Sequence, residues 1–375
     1  MGSPSQLHLA YLDSVRGLAA LAVIGSHYVR AYDLPCRSSF CDRLLTYSPL
    51  HIWWDGGAAV SLFFVLSGMV LSLKHFRHTQ NPTLTHVRLP AYILARLFRI
   101  WPAYLVVLSI SALLYQRYPW ASLSETSTIP KLNDWIPSLW GKPAGWAEFI
   151  HDSFLLGMKM DMRFLPQAWT LSIELSLSLL IPAGILLAAR HSAWLVFFTL
   201  MAIYPLGVSP YLFHFMLGIL VAKHHAVIVR RLQTNTRLRL LSWVSGLFLY
   251  TLGETFERLI HPQLLDWLTG MGCAMVLLCI MATVKFQQIL SFPALRYLGK
   301  VSYSIYLVHF AVLINATPLF LSLVHASEER FYVAWWLGLA ATIACSVGFA
   351  APCHRFIEVP SMALGKRLGR LVASG

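Results

Sequence analysis

AYLDSVRGLAALAVIGSHYVRAY (residues 10–32) sets Arg16 and His27 eleven residues apart inside an apolar run. A helix turns about 100° per residue, so eleven steps end about 20° past three full turns. The two side chains therefore share one helix face, about 16 Å apart along the axis. A guanidinium near one membrane surface and an imidazole about half a bilayer deeper is a costly arrangement. Ionisable groups inside a membrane span default to a functional reading.

The rest of the chain supports a membrane setting for that helix. Of 375 residues, 57% are hydrophobic and only 12% charged, about half the charged share of a soluble domain. Mean hydropathy is +0.62. Apolar stretches near 20 residues recur from end to end, so one polytopic domain over 1–375 fits better than two soluble ones. Ten spans are expected, at about 12–31, 54–73, 96–115, 168–188, 192–207, 210–223, 240–256, 267–284, 301–322 and 332–352. The fifth and sixth are short and divided by Pro205 and Pro210, which suits a tight hairpin or a re-entrant pair. The fold class expected is an all-α transmembrane bundle.

The net charge of +13 describes topology rather than nucleic-acid binding. Assigning alternate connections to two sides places 19 Lys and Arg on one side against only Asp13 and Glu358. The other side carries 10 Lys and Arg against 14 Asp and Glu. The positive-inside rule makes the first side cytoplasmic, with both termini on it. Arg16 then lies near the cytoplasmic surface and His27 in the outer half. With Arg16 inside the first apolar run and no small-residue cleavage pattern after it, no cleaved signal peptide is expected.

Arg96 and Arg99 open the third span, and a spacing of three puts both on one face. With Arg16 and Arg88 they form a basic mouth. Arginine forks match phosphate bidentately, so the mouth reads as a site for a phosphorylated cytosolic donor, or as ordinary anchoring to anionic lipid. Glu174 lies about five residues into the fourth span, about 7 Å deep. His27 approaches the same depth, so Glu174 is expected to orient it, or else to snorkel to the interface. Tyr303, Tyr306 and His309, after Ser302, advance by three along the ninth span and read as a polar path or as interfacial aromatics with a core histidine. Gly68, after Ser67, reads as helix packing.

The connection 116–167, rich in Trp and Pro (Trp120, Pro130, Trp135, Trp140, Pro143, Trp146), suits the membrane surface; it reads as a plain outer loop or as a binding lid. Cys36 and Cys41 share one polar loop and can pair if that loop faces an oxidising space. Cys273, Cys279, Cys345 and Cys353 read as buried small hydrophobes. His75/His78 and His224/His225 mimic metal spacings, but sit in basic loops without acidic or thiol neighbours and read as solvated. No metal site is expected, and no nucleophile elbow, phosphate-binding loop or dinucleotide fingerprint is present.

LDSVRGLAALAVIGSHY resembles the first helix of acyltransferase family 3, whose hallmark is Arg or Lys followed by His about ten residues on. FFVLSGMVLSL, ARLFRIWPAY, AWTLSIELSLSLLIP, FHFMLGIL, YLGKVSYSIYLVHF and HRFIEVP are similar to its later segments, in order, over about residues 11–367. The resemblance implies a ten-span membrane O-acyltransferase moving an acyl group, commonly acetyl, from cytosolic acyl-CoA to hydroxyls of surface polysaccharide or a lipid-linked precursor. It implies Arg16 and His27 as the essential pair and Arg96 and Arg99 as the paired arginines, with Glu174, Ser302 and Tyr303 in motif positions. Acyl-CoA is then a co-substrate rather than a bound cofactor, and the acceptor a carbohydrate or glycolipid. Without the C-terminal esterase-like domain of some members, transfer is direct or handed to a separate extracytoplasmic partner protein. His27 would deprotonate the acceptor hydroxyl or take the acyl group itself; either role requires neutral imidazole. The bacterial inner membrane is the expected location. A transporter or flippase also fits ten spans with midplane ionisable groups, though no inverted repeat is visible.

Overall fold

A computed structural model describes residues 10–36, 38–78, 89–117, 135–140, 144–256, 259–324 and 331–374. All its regular elements are helical. Those of ten residues or more are α1 (Ala10–Tyr32), α2 (Gly56–His78), α3 (Leu89–Arg117), α4 (Trp169–Ser178), α5 (Ile181–Arg190), α6 (Ser192–Ile203), α7 (Leu212–Thr234), α8 (Thr236–Tyr250), α9 (Pro262–Ala282), α10 (Pro293–Leu323), α11 (Phe331–Cys353) and α12 (Val359–Ser374).

Six helical segments are long and apolar enough to cross a membrane: Gly56–Phe76, Leu89–Gln116, Leu212–Thr234, Pro262–Ala282, Pro293–Leu323 and Phe331–Val372. A seventh is the bent pair Pro166–Ser178 and Ile181–Arg190, which turns by 50° where Leu179 and Leu180 leave the helix ahead of Pro182. The protein is thus a multi-pass helical membrane protein. Three of the ten expected spans fall short of that measure. α1 has 23 residues, but Asp13, Arg16 and Arg30 dilute its apolar character. α6 has only 12 residues and α8 only 15.

The basic connections differ from the loops expected. α7 runs on to Thr234, and Asn235 caps α8 through its side chain, which accepts from the Leu238 N–H at 2.9 Å. His224 and His225 therefore lie on a helix rather than a loop; His224 Nε2 is 2.9 Å from Ser192 Oγ. His75 and His78 likewise lie on α2. Cys36 and Cys41 are disulfide-bonded. Cys273, Cys279 and Cys353 are buried and Cys345 is half-buried.

Small residues set the crossings that shape the interior. A Cβ on Gly17 would sit 2.6 Å from the Gly299 nitrogen, and one on Gly299 would meet the Asp13 carbonyl. α1 and α10 thus touch backbone to backbone, as small residues allow between membrane helices, and Ser14 Oγ donates to the Leu290 carbonyl at 2.6 Å. Gly68 is packed against the Phe215 backbone and Gly218 against Val65, which locks α2 to α7. α12 folds back along α3, with Gly365 over Phe98 and Gly369 over Ala91.

One buried carboxylate shapes the segment before α4. Asp152, at the end of the short helix Trp146–Ser153, accepts from the backbone N–H groups of Arg163 at 2.7 Å and Phe164 at 3.1 Å. Ser172 Oγ accepts from the Lys159 N–H at 2.9 Å. These bonds hold residues 159–164 against the bundle.

Candidate functional site

Among the described residues, two cavities enter the bundle at Arg16 and at His27. The first, of about 540 Å³, is lined by Arg16, Arg96, Arg99, Lys300, Glu174 and Tyr303 among others. The second, of about 470 Å³, is lined by His27, Arg30, Trp135, Asp161, Arg163 and Trp169 among others. α1 spans both. Its shared face delivers Arg16 to one cavity and His27 to the other, as the eleven-residue spacing predicts.

The first cavity is cationic. Arg16 Nη1 pairs with Asp13 at 3.2 Å. Arg96 Nη2 pairs with Glu174 Oε1 at 3.1 Å, and its Nε donates to Ser178 Oγ at 3.2 Å. Arg99 rests on the Met362 sulfur at 3.1 Å, and neither it nor Lys300 makes an ion pair among the described residues. Two cations thus remain for an anionic ligand, in the same cavity as the two paired arginines. Ser302 Oγ donates to the Gly299 carbonyl at 2.8 Å and Tyr303 OH to the Ile100 carbonyl at 2.5 Å. Both line this cavity, but their hydroxyls tie α10 to itself and to α3. Arg88 lies outside the described residues.

In the second cavity a chain of hydrogen bonds fixes His27. His309 Nδ1 is 2.7 Å from the Tyr306 carbonyl. A carbonyl only accepts, so in the neutral ring Nδ1 carries the hydrogen and Nε2 is bare. His309 Nε2 lies 3.0 Å from His27 Nδ1, which must then donate. His27 Nε2 is left with its lone pair, on a ring that lines the cavity. Trp135 and Phe310 flank that ring, at centroid distances of 5.2 and 5.9 Å. A base whose tautomer is set by a second group is the arrangement of hydrolytic triads.

That second group is not the one expected. Glu174 lies in the first cavity, where Arg96 and Ser67 Oγ, the latter at 3.1 Å, hold the same carboxylate oxygen. Depth along the membrane normal matched Glu174 to His27, but α4 presents it to α2 and α3, where an arginine neutralises it. His309 takes the orienting role instead. A signal for it was present: His27 follows Gly17 by ten residues and His309 follows Gly299 by ten. Once the two glycines touch, parallel helices bring the two histidines level.

The cavities meet. Val60, Thr170 and Tyr306 line both. Tyr306 OH lies 2.6 Å from Thr170 Oγ1 and 3.0 Å from the Gln167 carbonyl, which Thr170 Oγ1 also reaches at 3.1 Å. This hydroxyl triangle stands between the arginine wall and His27. Tyr306 serves both parts, since its carbonyl also sets the His309 tautomer. Trp135, Ser138 and Leu139, with residues 160–163, make the described part of the Trp-rich connection a wall of the second cavity; Trp120, Pro130 and Pro143 lie outside the described residues. Trp146 is exposed. Among the described residues, no group of three or more His, Cys, Asp or Glu converges to hold a metal.

A family model for an acyltransferase domain, acyltransferase family 3, matches residues 9–354. No curated protein and no solved structure matches the chain. The matched range takes in α1 with its Arg16–His27 face, the Arg96–Arg99 pair and the junction at Tyr306. The chain belongs to acyltransferase family 3, and it is a membrane acyltransferase.

Proposed function

We propose that the chain is an O-acetyltransferase that takes acetyl from cytosolic acetyl-CoA and places it on a hydroxyl of a carbohydrate, such as a surface polysaccharide or its lipid-linked precursor, beyond the opposite face of a bacterial inner membrane. One observation carries the reading: the cationic cavity of Arg16, Arg96 and Arg99 and the His27 cavity share a wall at Tyr306 and Thr170. Arginines suit the phosphates of the donor. The thioester then runs inward toward the junction, and the acceptor hydroxyl enters from the His27 side.

In the step proposed, His27 Nε2 accepts the proton of the acceptor hydroxyl as its oxygen attacks the thioester carbonyl. The C–O bond forms, the C–S bond breaks, and the proton leaves on the CoA sulfur. His309 holds His27 in the required tautomer throughout. In the alternative order the same nitrogen takes the acetyl group first and passes it on, which separates the two substrates in time. Glu174 serves the donor side by fixing Arg96.

Ten spans with both termini cytoplasmic, in a single domain, belong to this reading. The excess of Lys and Arg on one side supports it, and it puts the arginine cavity toward the cytosol. In a direct transfer no further protein is needed; otherwise a separate extracytoplasmic partner takes the acetyl group from His27.

The test is acetyl-CoA turnover by the purified full chain. His27→Ala and Arg16→Ala are each expected to lose turnover, by about 10²-fold or more for the base. Turnover at the unaltered rate in either variant overturns the role of that residue.

A further inference from the structure

The donor-side cavity holds a polar group that acyl transfer leaves unused. His354 opens the π-helical turn His354–Glu358 between α11 and α12. π-Helical turns inside long helices recur at functional sites. His354 Nδ1 lies 2.8 Å from Glu358 Oε2, and the same oxygen accepts from Ser304 Oγ at 2.9 Å. His354 is 8% exposed and Glu358 2%, yet both line the cavity. His354 Nε2 is buried with no hydrogen-bond partner among the described residues. Buried polar atoms are nearly always paired, so an unpartnered nitrogen on a residue that lines a cavity points to a ligand group.

The chemistry of that group follows from the pairing. A carboxylate only accepts, so in the neutral ring Nδ1 carries the hydrogen and Nε2 is an acceptor. Arg16, Arg99 and Lys300 on the same cavity can only donate. The cavity therefore offers cationic donors for phosphate and, on the neutral His354 ring, an imidazole acceptor for an N–H or O–H. Ser304 lies one helical turn past Lys300 on α10 and two residues before Tyr306. The His354–Glu358 pair thus borders the way from the basic mouth to the junction. An acyl-CoA carries phosphates at one end, the thioester at the other, and an uncharged amide-bearing arm between them.

We propose that His354, held by Glu358 and Ser304, binds the pantetheine arm of the donor by accepting a hydrogen bond from one of its amide N–H groups. This rests on the acyl-CoA reading above and names how the middle of that donor is recognised. It also gives a basis for selecting pantetheine thioesters over acyl donors without an N–H, such as acyl phosphates.

The test compares two probes on the detergent-purified full chain by titration calorimetry: coenzyme A, and adenosine 3′,5′-bisphosphate, which has the phosphate end without the arm. His354→Leu is expected to weaken coenzyme A binding by about tenfold, the worth of one hydrogen bond, with bisphosphate binding unchanged. His354→Gln, which keeps an acceptor oxygen, is expected to restore part of the loss. Arg99→Gln is expected to weaken both probes. Unchanged coenzyme A binding in His354→Leu overturns the proposal, as does an equal loss of both probes there. Wild-type protein that binds neither probe overturns the acyl-CoA reading itself, and the arm contact with it.

Discussion

At the scale of single residues, the proposed chemistry turns on which nitrogen of His27 is bare. The Tyr306 carbonyl, the two rings of His309 and His27, and their 2.7 and 3.0 Å bonds decide it without an acid. His309 is therefore a positioning residue. His309→Leu is expected to lower kcat by about 10²-fold while leaving KM for acetyl-CoA unchanged, because His309 does not line the donor cavity. His309→Gln, whose side-chain oxygen can accept from His27 Nδ1, is expected to recover part of kcat. Steady-state kinetics on the purified variants checks this, and an equal fall in kcat with both substitutions contradicts it. Much of this was legible in the sequence. Helical spacing put Arg16 and His27 on one face, and the structure keeps them there. Glu174 pairs with Arg96 rather than His27 because sequence yields depth but not azimuth: an inward-facing carboxylate at the right height faces whichever helix the bundle packs beside it, and that helix carries Arg96.

At the scale of helices, close crossings of small residues set the geometry that the histidines need. α1 and α10 run in register because Gly17 and Gly299 meet backbone to backbone. A side chain at either position must push the helices apart and misalign two histidines ten residues away. Gly17→Val is expected to destabilise the protein by about 1–3 kcal/mol, as overpacking does, and to lower turnover. A thermal unfolding midpoint equal to that of the wild type in the same detergent contradicts this. The sequence located the long apolar helices well, since α2, α3, α7, α9, α10 and α11 each carry an expected span. It read less well where charge and helix coincide. Residues 223–239 and 285–300 look like basic loops, but they contain the end of α7, the start of α8 and the start of α10. Basic side chains at a membrane surface are as compatible with a protruding helix as with a loop, and only the Asn235 cap marks the break. The bend between α4 and α5 falls at Leu179 and Leu180, just ahead of Pro182, which the span at 168–188 already contained.

At the scale of the whole molecule, two cavities approach each other from the arginine side and the histidine side and share Tyr306, Thr170 and Val60. Length, charge bias and hydropathy established a membrane bundle with a basic face. They could not reveal the cavities, because a cavity is what packing leaves unfilled between helices distant in sequence. The shared wall supports the transfer across the membrane proposed above, in which acetyl enters on one side as a thioester and leaves on the other as an ester. The most direct measurement supplies radiolabelled acetyl-CoA to inside-out membrane vesicles from cells expressing the chain and follows label into the surface-glycan fraction. Label in that fraction with the wild-type chain, and none with His27→Ala expressed at the same level, is the result predicted. No transfer by the wild type, or equal transfer by His27→Ala, contradicts it.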